Sequence, residues 1–267
     1  MRFLTTWLAL SVAAVASSCG GATSDSVHVP AGPRSTMVSH TATVLERQFG
    51  EDANGFYLFT PRRRSWNRIV VFVHGHGGPS EITPSNHRPW LQHLAERGSA
   101  VVYPRYEEHP GGHAAARHID TAVRSALAVL GTGSTTVPVV GIGYSRGGRL
   151  VVDWAALAGP RARPRAILSV FPASAEDASP DLSRLAPNLR IEMLVGDQDE
   201  VVGHYGALEL IDALGQSGFD MRRERSTVVQ STPEFNVTHL SVLDHSPQAR
   251  ALFWAPADRL IAETLAR

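Results

Sequence analysis

The sequence predicts an α/β fold, with a mostly parallel central sheet of about seven to eight strands covered by helices on both faces. Three observations predict it. Short, nearly all-apolar runs alternate with stretches of helical period, the pattern of strands buried on both faces by crossover helices. One run, "VPVVGIGYSRGG" from Val137 to Gly148, stops abruptly in glycines around a single serine. The length of 267 residues, 43% hydrophobic and 19% charged, suits one large α/β domain with a sizeable core.

In chain order, residues 1–18 come first. Arg2, an apolar run from Leu8 to Ala16 and small residues after it have the form of a signal peptide, too short for a comfortable membrane span. Ala16, Ser17 and Ser18 then precede Cys19, the only cysteine, so no internal disulfide can form. This segment resembles a bacterial lipoprotein signal. The resemblance implies cleavage before Cys19, lipidation of its thiol and attachment to a membrane of the bacterial cell envelope. An ordinary signal peptide cut near Ala16 or Ser18, giving a periplasmic or secreted protein, is the alternative. Residues 19–36 are small, polar and rich in Pro and Gly, and read as a flexible tether before a domain at 37–267.

Within that domain, "GFYLFTP", "RIVVFV", "AVVYPRY", "VPVVGIGYS", "RAILSVFP", "RIEMLVG" and "RRERSTVVQ" read as strands. Helices are expected at Ala114–Leu130, where Ala115, Ile119, Ala122, Val123, Ala126 and Leu130 follow a helical period, and at Arg146–Leu157, Gly203–Gln216 and Pro247–Ala266. In such a sheet ligands bind beyond the carboxyl ends of the strands.

Composition excludes several chemistries. All 25 basic residues are arginine. Without lysine there is no Walker A phosphate loop, no Schiff base and no Ser-Lys hydrolase dyad. The formal net charge of zero gives no electrostatic case for a nucleic-acid partner.

Two chemistries use glycines at a strand-to-helix corner. The first cradles a phosphate, and Gly141, Gly143 and Gly147 form a loose dinucleotide pattern. That motif belongs after the first strand of its domain and needs an acidic residue about 20 positions on. Here several strands precede it, and the downstream stretch "RARPRAILSV" is basic. The second chemistry exposes Ser145 at a tight turn where side chains at Gly143 and Gly147 would collide with backbone.

A second corner, "HGHGG" from His74 to Gly78, follows another apolar run. With these two corners the sequence resembles the α/β-hydrolase fold family, without a large cap domain. The resemblance covers most of the chain after the tether and implies a serine hydrolase of the carboxylesterase or lipase type, needing no cofactor. It implies Ser145 as nucleophile, with the oxyanion held by the backbone N–H groups of His76 and Arg146 and Gly77 as the substitute for His76. Its chain order of Ser, acid, His implies Asp199 in "GDQDEVV" as the acid, with Asp197 as alternate. The base follows the last strand. His239 is favoured by a short loop, and His239–Leu243 resembles the His-x-Ser-x-Leu loop of relatives in that family, whereas His245 precedes Ser246-Pro247, a natural helix start.

The expected substrate is a small-molecule or polymer ester. A non-catalytic binding lipoprotein of the same fold and a dinucleotide-dependent reductase are the competing readings. His109, His113 and His118 lack the clustered spacing of a zinc site, and no metal is expected. "PRRRSW" reads as a solvated turn, and Phe171, Trp90 and Trp154 read as core more readily than as pocket walls. Only about twenty residues separate the strands flanking "FPASAEDASPDLSRLAPNL", a loop and no lid, which favours an open site.

Overall fold

The structure, a computed structural model, describes residues 35–77, 79–106, 112–131, 137–176 and 180–266. The segment 1–18 expected to be a signal peptide and Cys19, the expected lipidation site, lie outside the described residues, as does His109. Nine strands are present among them: β1 (Ser35–His40), β2 (Val44–Phe49), β3 (Phe56–Pro61), β4 (Arg68–Val73), β5 (Ser99–Pro104), β6 (Val139–Tyr144), β7 (Ala166–Val170), β8 (Arg190–Gly196) and β9 (Glu224–Val229). They form one sheet in the order β1-β2-β3-β5-β4-β6-β7-β8-β9. The β1–β2, β2–β3 and β3–β5 pairs are antiparallel, and every pair from β5–β4 to β8–β9 is parallel.

Helices α2 (Arg88–Glu96), α3 (Gly112–Leu130), α4 (Arg146–Leu157), α5 (Tyr205–Gln216) and α7 (Ala255–Leu265) cover the sheet, with the short turns α1 (Pro79–Ile82) and α6 (Pro247–Ala249). The two-residue period of the strands divides the core. Ile69, Val71 and Val73 of β4 pack with Ile119 and Val123 of α3, Trp154 of α4 and Leu210 of α5. The intervening Val70 and Phe72 pack on the other face with Trp90 and Leu91 of α2 and Leu260 of α7. Trp90, Trp154 and Phe171 are all fully buried core residues. β7 and β8 are joined between Val170 and Arg190 by a connection whose described part holds a 3₁₀ turn at Leu182–Arg184 and no larger element.

Seven strands coincide with the expected runs. β1, β2 and α2 were not legible as elements, and β1 opens at Ser35, within the stretch read as tether. β2 is "VLERQF", whose charges hide its period, yet Glu46 is 1% exposed. Its carboxylate accepts two hydrogen bonds from the Arg88 guanidinium at the start of α2, at 3.0 and 3.1 Å. This bidentate pair ties the antiparallel edge to the helix packed over it. The C-terminal helix, expected unbroken, passes through a π-type turn at Arg250–Trp254. Pro256 lacks the N–H that would return to the turn before it, so the hydrogen-bond register shifts there. Its start is as expected, with the Ser246 hydroxyl accepting from the Ala249 N–H and Pro247 in the first turn.

Arg88→Ala strands a buried carboxylate and is expected to lower unfolding free energy by about 2–4 kcal/mol. Glu46→Gln, which keeps the shape and a neutral acceptor, costs less. Urea denaturation at neutral pH ranks the two variants.

Candidate active site

The register brings the carboxyl ends of β4, β6 and β7 together, with Val73 opposite Gly143 and Tyr144 opposite Val170. Ser145 leaves β6 with φ 57° and ψ −124°, a left-handed conformation that costs a non-glycine residue on the order of 1–3 kcal/mol. Crowding over-determines it. A Cβ on Gly143 would stand 2.1 Å from the carbonyl oxygen of Gly147, and one on Gly147 2.2 Å from those of Val73 and His74. The Ser145 N–H donates to Val170 O at 2.9 Å, and its own carbonyl accepts from Gly148 and Ala173 at 2.8 and 3.1 Å.

Three sequence-predicted side chains meet at this corner. His239 Nε2 lies 2.9 Å from Ser145 Oγ, and its Nδ1 lies 2.9 Å from Asp199 Oδ2. All three residues are buried. Burial raises the Asp199 carboxyl, but the His239 ring and the amides of Val202 and Val201 outweigh it and hold the group below its ordinary value. A carboxylate there requires Nδ1–H to donate, which leaves Nε2 to accept from the serine hydroxyl. That arrangement can raise the nucleophilicity of a hydroxyl. Asp199 also forms the turn after β8, its Oδ1 accepting from Val201 and Val202 at 2.9 and 3.1 Å.

The alternates do not join this group. Asp197 accepts from the Ser231 N–H and hydroxyl at 3.0 and 2.6 Å. His245 packs 6.1 Å from the Trp254 ring, and its carbonyl accepts from Arg250 Nε. His239 opens a 3₁₀ turn, His239–Leu243, and Ser241 secures it. The Ser241 hydroxyl donates to Asn236 O and accepts from the Thr238 N–H, both at 2.8 Å. The His-x-Ser-x-Leu pattern therefore has a physical content, a serine pinning the loop that presents the imidazole.

His76 and Gly77 lie exposed on the loop after β4, and Arg146 opens α4 immediately after the serine. A Cβ on Gly75 would touch Ser145 Cβ at 3.2 Å, so this loop runs against the corner. The Arg146 side chain turns to Glu176, with both contacts at 2.7 Å, and its guanidinium lies 5.5 Å from the Tyr106 ring centre. His118 meets Asn54 at 3.1 Å, and among the described residues no group of three or more His, Cys, Asp or Glu could hold a metal.

A buried polar group behind the loop was not foreseen. Glu81 accepts from Asn86 Nδ2 at 2.6 Å and pairs with His87 Nε2 at 2.9 Å. Burial pushes the Glu81 carboxyl up, and His87 and Asn86 bring it below its ordinary value. Gly77 sits on this side chain, since a Cβ there would meet Glu81 Cγ at 2.6 Å. Tyr144 faces His87 and donates to the carbonyl of His239 at 2.9 Å, joining β6 to the histidine loop. Burial, Glu81 and Asp199 all raise its pKa, so its hydroxyl stays protonated. The one sequence signal for Tyr144 is its place beside Ser145.

The sheet order and this corner define an α/β-hydrolase fold, and solved structures agree. Esterase B from Lactobacillus rhamnosis superposes with a TM-score of 0.60 at 14% identity, covering 80% of this chain and 82% of its own. Carboxyl esterase 2 from the fungus Tuber melanosporum gives a TM-score of 0.60 at 15% identity, covering 86% and 90%. The thermophilic esterase Est2 from Thermogutta terrifontis gives 0.57 at 14% identity, covering 87% and 92%. Esterase B has been solved with a tributyrin phosphonate inhibitor, and Est2 phosphoramylated by tabun. No protein-family model matches the chain. No curated protein matches it in sequence.

His74 offers a test of the interior beneath the site. It is wholly buried between the Tyr103 and Tyr106 rings, donates from Nδ1 to Gly75 O at 2.7 Å, and burial lowers its pKa to about 4. Below the ordinary value of 6.5 the unfolded chain takes up a proton that the folded chain refuses. Stability therefore falls as pH drops from about 6.5 to about 4, by on the order of 3 kcal/mol, and levels off below. Asp199 acts lower, its contribution being lost as pH falls below the ordinary carboxylate range. Urea midpoints across this window should show the fall, and His74→Phe, which keeps the ring stack, should flatten it.

Proposed function

We propose that this protein is a serine hydrolase that cleaves carboxylic esters, with chemistry that extends to amides and thioesters, through an acyl-enzyme. The observation that carries the reading is the unbroken chain Ser145 Oγ, His239 Nε2, His239 Nδ1, Asp199 Oδ2, two contacts of 2.9 Å each, at a positive-φ corner. Esterases of the same fold support the ester class.

In this reading Ser145 Oγ attacks the ester carbonyl as its proton passes to His239 Nε2. The tetrahedral oxyanion is held by the backbone N–H groups of His76 and Arg146, with Gly77 as the alternative to His76. His239 then protonates the leaving alcohol oxygen, the carbon–oxygen bond breaks, and an acyl-Ser145 remains. Water, deprotonated by the same imidazole, releases the acid and restores the serine. Asp199 holds the ring in its tautomer and stabilises the imidazolium. No step calls for a cofactor. A β7–β8 connection whose described residues hold no large element supports an open site suited to esters of modest size or exposed polymer ends.

Ser145→Ala should abolish fluorophosphonate labelling. In p-nitrophenyl ester hydrolysis, Ser145→Ala and His239→Ala should each lower kcat by about 10⁴-fold or more, and Asp199→Asn by about 10⁴-fold. His245→Ala should stay within a few-fold of the parent chain. Loss of activity in His245→Ala with His239→Ala intact would overturn the assignment of the base.

The same proposal extends to location. An exported chain, cut before Cys19 and lipidated on its thiol, would hold the hydrolase at the bacterial envelope by a tether. A mass spectrum of the mature N-terminus should show a modified Cys19. An unmodified terminus would indicate simple cleavage.

A further inference from the structure

A cavity of about 440 Å³ opens beside His239, which forms part of its wall. If His239 delivers the proton to the departing alcohol, the alcohol oxygen must come within hydrogen-bond reach of Nε2. The group attached to that oxygen then lies on the histidine side of Ser145, and of the three site side chains His239 is the one that lines this cavity. Its size falls within the range of small-molecule sites.

The remaining walls describe the occupant. Val201 and Leu240 are 70% and 64% exposed, so their side chains offer apolar surface that a bound methyl or methylene group would cover. Gln198, Asn236 and Thr238 add neutral hydrogen-bonding groups. Glu200 is the one acidic residue on the wall, and no arginine lines it. Glu200 is exposed, and its carboxylate has no ion-pair partner among the described residues. The carboxylates beside it in sequence are engaged, Asp199 by His239 and Asp197 by Ser231. Their charge adds to a negative field that no neighbouring arginine in the wall offsets.

Resting on the hydrolase reading, we propose that this cavity receives the alcohol part of the ester, and that Glu200 makes the site prefer cationic over neutral and neutral over anionic alcohols. The substrate class is an ester of a short, partly apolar, uncharged or positively charged alcohol.

The test compares three acetate esters: acetylcholine, 3,3-dimethylbutyl acetate, which has the same shape without the charge, and 3-acetoxypropanesulfonate. kcat/KM is measured for the parent chain and Glu200→Gln at low salt and at about 1 M salt, where the Debye length is about 3 Å. The parent chain at low salt should favour the cationic ester over its neutral isostere by about two- to fivefold, as suits an exposed charge. The neutral ester should exceed the anionic one by a similar factor. Glu200→Gln or high salt should bring both ratios toward one. Ratios that Glu200→Gln leaves unaltered, with esters still hydrolysed, overturn this inference alone. Failure to hydrolyse any ester, together with no fluorophosphonate labelling, overturns the hydrolase reading and this inference with it.

Discussion

The contact between the end of β4 and the β6–α4 corner is the constraint on which the other features depend. At Gly147 the end of β4 approaches, and at Gly143 the turn folds back on Gly147, until there is no room for a methyl group at either position. Such an approach excludes every side chain larger than hydrogen at those positions, and it forces Ser145 into the left-handed region. The strain is sustained because parallel pairing of β4 with β6 and of β6 with β7 anchors both sides of the turn. Ser145 N–H to Val170 O and Ala173 N–H to Ser145 O close it. A serine on a relaxed loop would sample many rotamers and meet an imidazole only part of the time.

Around the corner, buried polar groups supply the precision that apolar packing lacks. Asp199 divides its carboxylate between the His239 ring and two backbone amides, so the residue that orients the imidazole is itself held by the turn it sits in. Tyr144 ties the strand carrying Ser145 to the backbone of His239. Glu81 and His87 fill the space under Gly77, on the loop opposite the serine. Each group is desolvated and hydrogen-bonded, which makes the arrangement costly to distort. The interior also discriminates between histidines. His74, stacked between two tyrosines, is kept neutral by burial, whereas His239 is set against a carboxylate that can stabilise its cation.

The mouth of the site differs in character from its floor. Val201 and Leu240 are exposed apolar side chains on the two loops that follow β8 and β9, and Tyr205, also exposed, opens α5. These loops also carry Asp199 and His239, so the hydrogen-bonded acid and imidazole share short segments with exposed apolar surface. This is the division of labour expected of an open α/β sheet, where the scaffold fixes geometry and the loops at the carboxyl ends determine what is bound.

Periodicity in the sequence determined the α/β class, seven strands of the sheet and four of the helices over it, because the central strands are buried on both faces and can hardly be anything but apolar. Local chemistry also determined the glycine corner and the Ser246-Pro247 helix start, since each depends only on near neighbours. β2 and α2 stayed hidden because Glu46 and Arg88 look like surface charges until the fold pairs them. Only the tertiary structure brings His239 rather than His245 against Ser145, and Asp199 rather than Asp197 against that imidazole. The competing residues are six positions apart in one pair and two in the other, and spacing cannot say which side chain faces a serine in a distant strand turn. Glu81, His87 and Tyr144 were beyond the sequence for the same reason. Their meaning lies in contacts between segments far apart in the chain, and those contacts exist only once the sheet has brought the strand ends together.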